Sequence, residues 1–158
     1  MNKNSSFILK GLGFTIVEMI IVVSIIAILM AVVLISIDPA KRFSDSRNTK
    51  RMADVDTILI AVHQYINDTG GSLPTGIGTS FAQIGTCTTG GMNLCIGATT
   101  RCANIGTLLG NGKYIKSNPT DPQRGTAATT GYAISKAVDN VFTVKACLSE
   151  GTTILVSK

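Results

Sequence analysis

With 158 residues, the chain has room for one ordinary globular domain and is too short for two. Its 45% apolar content is ordinary as an average but unevenly placed, and the formal charge of +5 falls to +3 without residues 1–13, which hold Lys3 and Lys10. The basic residues beyond position 51 are scattered, which suits surface solvation and gives no stripe for a phosphate backbone. Nucleic acid is therefore not an expected partner.

Residues 1–13, MNKNSSFILKGLG, form a short polar and basic leader that ends in Gly13. From Phe14 to Ile37 follow 24 residues with one charge, Glu18, and no polar positions beyond Thr15, Ser24 and Ser36. At 1.5 Å per residue, about 20 such residues cross a bilayer core of roughly 30 Å as a helix. The run is predicted to span a membrane. A secretory signal peptide would place its apolar region ahead of an A-x-A cleavage site, and none follows this run. Any cut at the leader therefore leaves the apolar segment with the product.

Asp38-Pro39 closes the run, and proline's missing donor and ring clash predict a kink or loosened turn there. Beyond it, Val55, Ile58, Leu59, Val62, Tyr65 and Ile66 recur at steps of three and four, the stripe of an amphipathic helix. Its first turns are polar and of mixed sign, from Lys41 and Arg42 through Arg47, Lys50 and Arg51 to Asp56. Asn67 to Gly71 supplies the stop signal. A helix carried from Phe14 to Asn67 would be roughly 80 Å long, and only its second half has a stripe to pack on a soluble head.

Residues 69–112 contain eleven of the sixteen glycines, so irregular structure is expected there, with a short helix at Asn104 to Leu109. The tail alternates like sheet over Tyr132–Ser135, Val141–Cys147 and Thr152–Val156, with turns at Asp139-Asn140 and Glu150-Gly151. The expected fold is α+β: a long N-terminal helix, half membrane-spanning and half amphipathic, packed on a C-terminal antiparallel β-meander.

Cys87, Cys95, Cys102 and Cys147 are separated by 7, 6 and 44 residues, with no C-x-x-C, and the one histidine, His63, lies far away. That spacing argues against zinc or redox chemistry and for two disulfides in an exported head. Three pairings exist. Cys87 with Cys95, closing a small loop, and Cys102 with Cys147, tying the loop region to the sheet, are favoured. His63 beside the apolar stripe reads as a packed structural residue. With one His and no phosphate loop, no catalytic residues and no cofactor are expected, and the chain does not read as an enzyme.

Gly13-Phe14-Thr15-Ile16-Val17-Glu18, with Lys10 before it and an apolar run after it, closely resembles the prepilin signal of type IV pilins and type II secretion pseudopilins. The resemblance implies a pilin-like fold and a membrane peptidase that cuts after Gly13 and methylates the new amine of Phe14. Glu18 then takes the place of the acid at the fifth mature position. Residues 1–13 become the leader peptide, 14–37 the transmembrane and polymerisation helix, and 38–158 the amphipathic helix plus exported head. The implied partners are identical or related pilin subunits, the prepilin peptidase/methyltransferase and an inner-membrane assembly platform. The implied location is the inner membrane as a single-pass precursor, then an extracellular filament or a periplasmic pseudopilus. Tyr114 to Pro122, followed by Gly131-Tyr132, is similar to the segment leading into the sheet of major pseudopilins. Asp121 and Asp139 are the only acids near it, and no metal is expected.

Glu18 also stands out on physical grounds. A lone carboxylate at a bilayer centre costs on the order of 3 kcal/mol on insertion scales, so its presence in such a run marks function. The run holds no Lys, Arg or His to pair with it. A cut after Gly13 would supply a largely protonated α-amine on Phe14. Two basic residues precede the run and five follow it closely, which by simple counting puts the C-terminal part in the cytoplasm. That rule weakens for long translocated domains, and the cysteines favour the outside. The competing reading is a signal-anchored exported binding protein or enzyme that stays in the membrane with its leader attached.

Overall fold

The computed structural model describes residues 13–87, 95–98, 101–105 and 112–158. The leader up to residue 12 lies outside the described residues, as does most of the helix expected at Asn104 to Leu109. The chain divides into two compact units, the first ending at Ala40 and the second running from Lys41 to Lys158.

In the first unit, α1 (Ile16–Ser36) is a 21-residue helix with no buried residue. It begins two residues later than the apolar run and stops at Ile37, whose backbone is extended. A second helix, α2 (Pro39–Asp68), starts at the proline. The sequence predicts a kink or a loosened turn at Asp38-Pro39. The helix is interrupted there, between Ser36 and Pro39, because proline fits the first turn of a new helix, where its missing N–H costs nothing.

In the second unit the predicted stripe of α2 is the buried one. Val55, Ile58, Leu59 and Val62 are buried together with Ala61 and Arg51, and Tyr65 and Ile66 pack partly buried against the same core. Gly70 and Gly71 both take positive φ, and the Gly71 N–H reaches back to the Ile66 carbonyl at 2.8 Å, which caps the helix end at the predicted stop.

The sheet has five strands in the order β2-β1-β3-β4-β5, with β1 at Ala82–Ile84, β2 at Cys102–Ala103, β3 at Tyr132–Lys136, β4 at Phe142–Ala146 and β5 at Leu155–Ser157. Strands β3, β4 and β5 form the expected antiparallel meander, with Ile134, Val144 and Val156 in register. Asn140, at φ 68°, turns the hairpin between β3 and β4. Strands β1 and β2 pair in parallel and lie in the glycine-rich stretch where irregular structure was expected. The sheet is therefore mixed. Tyr132, Ile134, Phe142 and Val144 point from it into the core with the α2 stripe. His63 closes one side of that core, its ring edge-on to Phe142 at 5.6 Å.

The disulfides join Cys87 to Cys102 and Cys95 to Cys147, which corrects the favoured pairing. Parallel pairing of β1 with β2 sets Cys102 opposite Gln83, close to where the chain leaves β1 toward Cys87. Cys95 is buried with Ala98 and Ala133 and packs against Phe81 and Cys147. Ala133 alternates with the core residues Tyr132 and Ile134, so this second cluster lies on the other face of the sheet. Peptide mapping without reduction should recover 87–102 and 95–147 linkages and no free thiol. Loss of either bridge should cost roughly 2–4 kcal/mol in unfolding measurements. Recovery of an 87–95 linkage would contradict the strand pairing.

Candidate functional site

The segment from Gly13 to Glu18 is laid out by the start of α1. Thr15 is the N-cap, with φ −82° and ψ 152°, and its side-chain oxygen accepts the Glu18 N–H at 3.2 Å. Its carbonyl accepts the Met19 N–H at 3.2 Å. Thr15-Ile16-Val17-Glu18 has the spacing of a capping box, with Glu18 at the third helical position. A carboxylate in the first turn is favoured by the partial positive charge of the helix N-terminus. The helix thus begins after Thr15, and Gly13 and Phe14 precede it outside regular structure. Phe14 is 79% exposed.

Gly13 is informative for what it does not do. A Cβ built there meets nothing within 4 Å, and Gly13 is not among the residues with positive φ. Among the described residues, nothing demands glycine at that point.

The apolar residues of α1 are all exposed, Ile16 at 80% and Ile35 at 85% among them. Among the described residues, α1 alone is long and apolar enough to cross a membrane. An N-terminal helix of this kind fits a membrane-anchored precursor.

The head carries a polar cluster that the sequence reading did not single out. Arg51 is fully buried in α2, and its Nε donates to Asp121 Oδ2 at 2.6 Å while Nη1 donates to Glu150 Oε1 at 2.8 Å and to Asn48 Oδ1 at 2.9 Å. Arg47 adds a two-pronged pair to Glu150 at 2.7 and 2.5 Å. Asp121 also accepts the backbone N–H groups of Gln123 and Arg124. The cluster therefore ties the segment after Pro119 and the loop after β4 to α2. Gly131, at φ +85°, lets Asp121 approach: a Cβ there would lie 2.7 Å from the Asp121 Cβ. The spacing signal was present, since Arg51 precedes Val55 by four and Ile58 by seven, on the buried stripe.

Hydrogen bonds from Arg47 and Arg51 hold the Glu150 carboxyl down at about 2. A depressed carboxylate pKa stabilises the fold above the ordinary value near 4, and that contribution fades as pH falls toward 2. Burial, followed by the hydrogen bond to Asp54 at 2.7 Å, pushes the Tyr132 hydroxyl well above its ordinary pKa, so it stays a donor. Asp121 is occupied by Arg51, and Asp139 accepts the Val141 N–H in its own turn. Among the described residues no group of three or more His, Cys, Asp or Glu is placed to hold a metal.

The family model of the prokaryotic N-terminal methylation motif, the signal of type IV pilins and pseudopilins, matches residues 10–34. That span takes in Gly13, Phe14, Glu18 and most of α1 and leaves the head aside. The motif points to a structural subunit. No curated protein and no solved structure matches the chain.

Proposed function

We propose that the chain is the precursor of a structural subunit of a type IV pilus or related pseudopilus. It is held in the inner membrane by α1, cut after Gly13, methylated at the Phe14 amine and polymerised through its N-terminal helix. The carrying observation is that the methylation motif at 10–34 overlaps most of an apolar helix, α1, none of whose residues is buried. Such a helix needs lipid first and then other apolar helices, and a bundle of identical copies supplies them.

Hydrolysis after Gly13 leaves a carboxylate on the leader and an α-amine on Phe14. Glu18 of one subunit then pairs with the Phe14 amine of a neighbour. Both charges would otherwise be left alone among apolar helices. The head, with its disulfides, lies outside the cytoplasm. Its partners are further copies, the peptidase and the assembly platform.

Intact-mass measurement of the protein recovered from cell-surface filaments is expected to give a chain that starts at Phe14 and carries one N-methyl group. Recovery of the full chain from Met1 would overturn the proposal and favour an anchored protein that keeps its leader.

A further inference from the structure

We infer that Thr15 is a positioning residue for processing: by capping α1 it keeps the Gly13–Phe14 bond out of the helix and in reach of the peptidase. The inference rests on the reading that the chain is cut after Gly13. Something must halt the helix, because the residues that follow are apolar and helical for 21 positions. Gly11 and Gly13 upstream are weak stops, since they disfavour helix but offer no side-chain acceptor. Thr15 is a stronger one. Its extended backbone and its side-chain acceptor give the Glu18 N–H a partner at 3.2 Å without a further helical turn.

Without the hydroxyl the Glu18 N–H must find another acceptor. Near lipid, a bare backbone donor is unfavourable. The nearest replacement is the i−4 carbonyl, that of Phe14, so the helix would grow by one residue and its cap would move onto Phe14. The bond to be hydrolysed then lies at the helix edge, with the Phe14 carbonyl engaged and the Gly13 carbonyl crowded by the new turn. Cleavage requires water to add to the Gly13 carbonyl carbon, with a carboxylate left on Gly13 and the amine released on Phe14. An exposed bond outside regular structure admits that attack, as exposed irregular segments generally admit proteolysis.

The test follows processing of the full-length precursor in cells that carry the peptidase, by pulse-chase with intact mass of the product. Thr15→Val keeps the branched shape and removes the acceptor. Thr15→Ser and Thr15→Asn keep an acceptor and change the shape. Cleavage of Thr15→Val is expected to slow about fivefold, the ratio that matches a cap worth about 1 kcal/mol. Thr15→Ser and Thr15→Asn are expected to stay within about twofold of the parent, since all three cap well. Parent-like cleavage of Thr15→Val would sink the inference alone, and so would Ser and Asn variants as slow as Val. A parent chain that stays uncut would remove the processing reading itself, and the inference with it.

Discussion

Glu18→Ala is expected to leave membrane insertion and subunit amount unchanged and to abolish or severely reduce filament formation. Insertion should not suffer, because the substitution only makes the run from Phe14 to Ile37 more apolar. Under the proposed pairing assembly should suffer, because α1 offers no other charged side chain to meet the Phe14 amine of a neighbouring copy. Removing one member of a buried pair commonly costs 3–5 kcal/mol, largely because the other charge stays buried and alone. Incurred at every subunit added, a loss of that size stops growth. Glu18→Asp keeps the charge with a shorter reach and should fall between. The comparison requires equal processed subunit in the membrane fraction of each strain, with filaments counted by microscopy and by shearing yield. Normal filament yield from the Ala variant would mean that Glu18 serves α1 only as a favourable first-turn acid, through the helix dipole.

Arg51→Met should destabilise the head by roughly 3–5 kcal/mol, a large share of the 5–15 kcal/mol typical of a folded domain. Met matches the buried stem and removes every donor. Among the described residues, the Asp121 carboxylate, fully buried, would keep only the backbone N–H groups of Gln123 and Arg124. Glu150 would keep Arg47 and solvent, so the larger share of the loss comes from Asp121. Arg51→Lys should recover little, since one ammonium cannot reach Asp121, Glu150, Asn48 and Gln123 from a single position. Adding Asp121→Asn to Arg51→Met removes the stranded charge and should restore part of the loss. Denaturant unfolding of the detergent-solubilised protein measures all three against the parent. A cost below about 1 kcal/mol for Arg51→Met would show that the cluster contributes little net stability.

The features that chain-local physics controls were legible in the sequence. A membrane-length apolar run needs no partner in its own chain to declare itself, and α1 falls inside it. The stripe of α2 follows from helical periodicity, its end from two glycines that take positive φ, and the meander from the alternation of its strands. The motif around Gly13 is of the same kind, with every residue within one short segment. Even the start of α1 at Ile16 was encoded in the Thr15-to-Glu18 spacing, although the apolar run alone suggested Phe14.

Tertiary structure decided what depends on distant neighbours. Strand β1, Ala82-Gln83-Ile84, is buried at every position and so carries no alternation. With β2 only two residues long, neither strand can be told from loop until each finds the other. The disulfide pairing waits on the same event, because cysteine spacing measures distance along the chain and bond formation requires distance in space. Arg51 shows the limit most clearly. Its place on the buried stripe was readable from spacing, but a guanidinium enters a core only if carboxylates meet it there. Those carboxylates, Asp121 and Glu150, lie 70 and 99 residues further along and arrive only when the sheet has closed over the helix.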